Sequence, residues 1–288
     1  MDDKVPFTKQ SELIGQPRVG AGLDGSPPLN ENPPALEDMV PNEPFLRNAD
    51  TSEVAKFLQR EVVCVTMEEM YGYLAFVGRK SGDHIDPLHV HLLKGRTRKN
   101  VEDPGLHLVW YYNDLYIKPL PHCLLNFCFW RTHSVALPPQ TPEQASLYAA
   151  AIGFVRSYAF LIHHKSDFYI AQKKHIVPEK VSYSEFQRYI HPFSKIHNNQ
   201  VTPRWKFGQL RLTRLNWAIR LAQPESRKGK GFLQGMFYLQ VYWQTGQFLS
   251  ELVAPILFIY ASLSLSLSAM SLIHATRSPR WTAVENGL

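Results

Sequence analysis

The chain has 288 residues, 44% hydrophobic and 19% charged, with a net charge of +6 and three cysteines, Cys64, Cys123 and Cys128. That composition excludes wholesale disorder, and the slightly negative mean hydropathy excludes a protein built of many membrane spans. A small, odd number of cysteines is no disulfide framework and suits a reducing compartment.

The opening residues, MDDKVPFTKQSEL, carry acids at Asp2 and Asp3 and no basic-then-apolar run. Neither a secretory leader nor a mitochondrial presequence is expected, so the bulk of the chain is expected in the cytosol. Residues 1–44 hold eight prolines and almost no apolar periodicity. Such a stretch buries too little surface to offset its ordering entropy, and a disordered arm is expected.

Order is expected from Phe45. Asp50 with Glu53, and Thr66 with Glu69, have the spacing of capping boxes ahead of two helices, the second stopping at Gly78. LHVHLL (88–93), LHLVWYY (106–112) and LYIKPLP (115–121) read as strands, the last two joined by a tight turn at Asn113-Asp114. Thr141, Pro142 and Gln144 open a long helix through Phe154, Val155, Tyr158 and Ile162. Shorter helices start at Ser166-Asp167 and at Ser182 with Glu185. The fold class expected is α+β: a small antiparallel sheet with several helices over 45–225, followed by one C-terminal transmembrane helix.

The segment Leu252–Ile273 has no formally charged residue and matches the ~20 apolar residues that cross a bilayer. Its LSLSLS alternation is a strand pattern, but it covers few residues. Serine hydroxyls can bond back to the preceding helical turn, which lowers their cost in a membrane helix. Residues 226–251, rich in aromatics and glutamine, read as an interfacial segment, and 274–288 as a short tail. The competing reading makes 252–273 a buried helix of a soluble domain.

Between Thr202 and Lys230 eight basic residues face one acid, Glu225, so the chain's positive excess lies just before the apolar stretch. By the positive-inside rule this keeps the N-terminal domain cytosolic. Arg211, Arg214, Arg220, Arg227, Lys228 and Lys230 are then candidates for contact with anionic headgroups. The partners implied are the lipid bilayer, its anionic headgroups and a protein; no nucleic-acid motif accompanies the charge.

The polar clusters are DHIDPLHVH (Asp83, His84, Asp86, His89, His91), HCLLNFCFWRTH and HHKSD (His163, His164, Asp167). On a strand His89 and His91 would share a face, as two ligands of a metal would need. His164 and Asp167 are the residue types of a base and its orienting acid. The cysteines at 123 and 128 lack zinc-fold spacing and read as buried thiols. G-x-S-x-G, G-x-x-x-x-G-K-[ST] and G-x-G-x-x-G are all missing from the sequence, so no enzyme class and no cofactor is expected.

The phrases FLRNADTSEVAKFL, LHVHLLKGR, LHLVWYYNDLYIKPLP, SYAFLIHHKSDFYIA, FGQLRLTRLNWAIRL and APILFIYASLSLSLSAM occur here in that order. Together, over residues 45–269, they resemble a fungal family of uncharacterised membrane proteins. That resemblance implies membrane attachment by two C-terminal spans, of which only the first is matched; HATRSPRWTAVENGL stands in place of the second. His164 and Asp167 fall on the family's H-x-x-D-F phrase, for which the resemblance implies no role. The function expected is binding or scaffolding at the cytosolic face of a membrane, with an enzyme site around His89/His91 or His164/Asp167 as the rival.

Overall fold

The computed structural model describes residues 5–14, 39–133, 141–229, 237–239 and 245–285. They fall into two compact units, 1–239 and 240–288.

In the first unit a hairpin of β1 (Met39–Val40) and β2 (Glu43–Arg47) precedes α1 (Thr51–Val62). Val54, Phe57, Leu58 and Val62 recur on one face of α1, and that face is buried. Helices α2 (Val65–Glu69), α3 (Tyr71–Val77) and α4 (Leu88–Leu93) follow, α3 ending against Gly78. Strands β3 (Thr97–Asn100), β4 (Val109–Tyr111), β5 (Asp114–Ile117) and β6 (Leu210–Arg211) form a sheet in the order β3-β5-β4-β6. The β4–β5 pair is the antiparallel hairpin the sequence announces, with Tyr111 opposite Asp114. Its two-residue loop is Tyr112-Asn113, one position earlier than expected, with Tyr112 in the left-handed region at φ 48°. The outer strands β3 and β6 join in parallel, so the larger sheet is mixed.

Four helices complete the unit's main frame: α5 (Phe127–Thr132), α6 (Pro142–Leu161), α7 (Lys165–Lys173) and α8 (Tyr183–Ser194), with α9 (Leu212–Ala222) beyond them. The Thr141 hydroxyl accepts from the Gln144 amide at 3.3 Å and Pro142 takes the first turn, as the sequence implies. Along α6 every residue from Ala150 to Phe160's predecessor Ala159 is buried, because the helix packs against α1 and α8 and under Trp205. A side chain at Gly153 would meet the Trp205 ring at 2.5 Å, so only glycine permits that approach. The Ser182–Glu185 capping box closes α8: the hydroxyl accepts from Glu185 N at 3.3 Å and the carboxylate from Ser182 N at 2.8 Å.

Three expectations are corrected. Residues 5–14, inside the supposed disordered arm, dock on the core. Phe7 is 3% exposed, its ring 4.8 Å from Tyr189 and 5.9–6.1 Å from Phe127, Trp130 and Phe193. One buried aromatic ring, with bonds from Leu13 N to Leu125 O and from Asn126 Nδ2 to Ile14 O, offsets the ordering of a short segment. Of the rest of that arm, 15–38 lies outside the described residues. LHVHLL is helix α4, not a strand, and Thr66 lies within α2 rather than capping it.

The second unit contains α10 (Thr245–Glu285). The helix runs through the expected span and on into the expected tail. Its residues 256–275 are all exposed, with a mean hydropathy of 2.0. The period-two serines do not make a strand. The Ser262 and Ser266 hydroxyls donate to the carbonyls of Phe258 and Ser262, four residues back, at 2.7 and 2.8 Å. Of the expected interfacial segment, 230–236 and 240–244 lie outside the described residues.

Candidate functional site

Asp167 is the third residue of α7 and is fully buried. Its Oδ2 accepts the His164 backbone N–H at 2.8 Å, closing the first turn of the helix. Its Oδ1 faces α4 and accepts two bonds from His89: the backbone N–H at 2.7 Å and ring Nδ1 at 2.8 Å. An ionised carboxylate only accepts, so Nδ1 carries the proton and Nε2 is left as the free basic nitrogen. The His89 side chain is 35% exposed while Asp167 is sealed. The His164 ring lies 5.2 Å from that of His89, and the His163 ring 4.8 Å from His164.

A buried carboxylate holding an imidazole in one tautomer, with the other nitrogen open to solvent, is the arrangement of general-base sites and of metal-bound histidines. Two residue clusters 78 positions apart thus meet, a pairing that spacing alone does not disclose. Here it also ties α4 to α7. Among the described residues no Ser, Thr or Cys bonds the His89 ring, and no three His, Cys, Asp or Glu side chains converge to hold a metal ion.

The proposed His89–His91 pair does not form. On a helix, positions two apart point to different sides, and His91 turns inward, 0% exposed. Its Nδ1 lies 3.1 Å from the Arg96 guanidinium, which can only donate, so His91 is neutral with its proton on Nε2. Burial first, and then the Arg96 charge, push its pKa down to about 4; nearby Asp86 pulls the other way. The unfolded chain therefore binds a proton at His91 well before the folded one does. This contribution to stability is complete above about pH 6.5 and is lost as pH falls toward 4, on the order of 3 kcal/mol in all. Urea unfolding at pH 7 and pH 4.5 should show His91→Leu losing much less stability on acidification than the wild type.

The remaining histidines and cysteines are dispersed. Cys64 and Cys123 are buried and free, with burial pushing the Cys64 thiol up to about 12. His133 Nε2 lies 2.9 Å from Asn48 Oδ1, and His122 lies half-buried apart from it. Lys118 and Arg204 are buried cations that sequence reading missed. Lys118, 1% exposed, sits 3.0 Å from Glu61 and 3.7 Å from Glu102. Arg204, 0% exposed, donates to the carbonyls of Phe207, Gly208 and His107 at 2.9–3.1 Å. The sequence signal for Lys118 is a basic residue set in the apolar run LYIKPLP; Arg204, two residues from Lys206, stands in no such run.

The six basic candidates divide. Arg211, the last residue of β6, and Arg214 on α9 are exposed, Arg211 stacking 5.1 Å over Trp110. Arg220 stacks on Trp217 and Phe237 at 5.0 and 4.9 Å. Arg227 is engaged internally, donating to the carbonyls of Phe237 and Tyr238 at 2.7 and 2.8 Å. Lys228 pairs with Glu225, and Lys230 lies outside the described residues. Beside Arg214 on the open face of α9 stand Trp217 and Leu221, 63% and 66% exposed.

A family of unknown function, DUF6601, matches residues 54–286. The chain belongs to that family. The DUF6601 match runs through both units, taking in Asp167, α9 and all of α10. No curated protein and no solved structure matches the chain.

Proposed function

We propose that this DUF6601 protein is a membrane-anchored binding or scaffolding domain. In this reading α10 crosses the bilayer, and the α+β unit is held at the cytosolic face. The observation that carries it is the run Ile256–Ala275, free of Asp, Glu, Lys and Arg, with a mean hydropathy of 2.0 and none of its residues buried. The strongly apolar α6 is, by contrast, buried within its unit, as a core helix is. An exposed, predominantly apolar helix of this length has no stabilising contact for its apolar side chains in water but matches the hydrocarbon thickness of a bilayer.

Serine back-bonding in α10 supports the same reading, and so does the sequence resemblance to fungal membrane proteins. The basic residues upstream favour a cytosolic first unit. Arg211 and Arg214, with Trp217 and Leu221, form a basic and aromatic face suited to anionic headgroups, each arginine contributing about 1 kcal/mol near such a surface.

The test is alkaline washing of membranes from cells expressing the full chain. Retention in the pellet is expected; release into the wash would refute the span. In intact vesicles, protease should digest the first unit from the cytosolic side.

A further inference from the structure

Between the docked residues Leu13 and Ile14 and the β1–β2 hairpin lies a cleft of about 1380 Å³. Its walls are apolar, with Val40, Phe57, Leu120, Ile176, Val177 and Val181 among them. Sites for compact small molecules run to roughly 300–1,000 Å³, so this one has room for a long chain.

Its border carries four carboxylates, Glu43, Glu61, Glu102 and Glu179. Lys118 is one cation shared by two of them, 3.0 Å from Glu61 and 3.7 Å from Glu102. Glu179 pairs with His175 at 3.1 Å on the exposed edge, where Lys180 adds a second cation. Burial lowers the His122 pKa, which keeps that ring neutral. Among the described residues the Glu43 carboxylate makes no hydrogen bond or ion pair, and the residue is half-buried at the hairpin. In a chain of net charge +6, the mouth of this apolar cleft is therefore negative.

We propose that the cleft binds a single-chain amphiphile with a protonated amine head. The hydrocarbon tail lies among the aliphatic side chains, and the ammonium rests at Glu43 beside the under-neutralised Glu61–Glu102 pair. Charge complementarity selects the head, since an alcohol gains no ion pair there and a carboxylate is repelled. The assignment goes beyond the membrane reading and does not require α10 to span.

Calorimetry on the full chain in phosphatidylcholine nanodiscs, with empty nanodiscs as the blank, tests it. Dodecylamine should saturate one site, dodecanol should bind at least about tenfold more weakly, and dodecanoate should not exceed the blank. Glu43→Gln should weaken dodecylamine about tenfold and leave dodecanol unchanged. An unchanged melting temperature without ligand would show that the variant is folded. Equal binding of amine and alcohol, or an amine affinity indifferent to Glu43→Gln, overturns the proposal. Neither result bears on the alkaline wash, so failure here and failure of the membrane reading are separable.

Discussion

Asp167→Ala is expected to cost about 3–5 kcal/mol of unfolding free energy, because it removes one fully buried charged acceptor that three donors share. The His89 amide, the His89 ring and the His164 amide all end on this one carboxylate, at 2.7, 2.8 and 2.8 Å. Asp167→Asn should fall between: its carbonyl can serve one side, but its NH₂ then confronts a donor on the other. His89→Ala, at a side chain 35% exposed, should cost only about 1 kcal/mol. Urea unfolding of the full chain in neutral detergent at pH 7 would rank the three. A loss below about 1 kcal/mol for Asp167→Ala would show that the carboxylate is not sealed between α4 and α7.

Leu263→Arg with Leu267→Arg should move the chain from the alkaline-resistant pellet into the wash. A basic residue at the centre of a spanning helix costs roughly 2.5–3.5 kcal/mol, so the pair is worth about 5–7 kcal/mol against insertion. The two positions lie one turn apart on α10, 59% and 66% exposed. The companion variant Ser262→Leu with Ser266→Leu should stay in the pellet. Its hydroxyls already bond within the helix, and removing them makes the surface more apolar. If the arginine pair remained in the pellet, the membrane would be held by something other than this helix.

The elements read correctly from sequence are those whose determinants are local. Ser182 with Glu185 and Thr141 with Gln144 each hold their own helix start, three residues apart. The β4–β5 hairpin needs only its turn and two short apolar runs. LHVHLL failed because six residues are too few to separate period two from period 3.6, and Pro87 ahead of it favours a helix start. Asp167 was visible as a helix-start acid, but its bond to His89 depends on the packing of α4 on α7. The Lys118–Glu61 pair and the Arg204–His107 bond were invisible for the same reason, since each joins distant turns.

The docking of Phe7 also sets an order of events. Its ring site is completed by Tyr189 and Phe193, more than 180 positions downstream. During synthesis Phe7 emerges well before these partners and must wait while most of the domain is made. Closing so large a loop is slow compared with forming the capped helices. Residues 5–14 are thus made early and seated among the last. A bulky fusion placed ahead of Phe7 should therefore delay final assembly without disturbing the earlier helices, and a refolding trace of the full chain should show that late step lengthen.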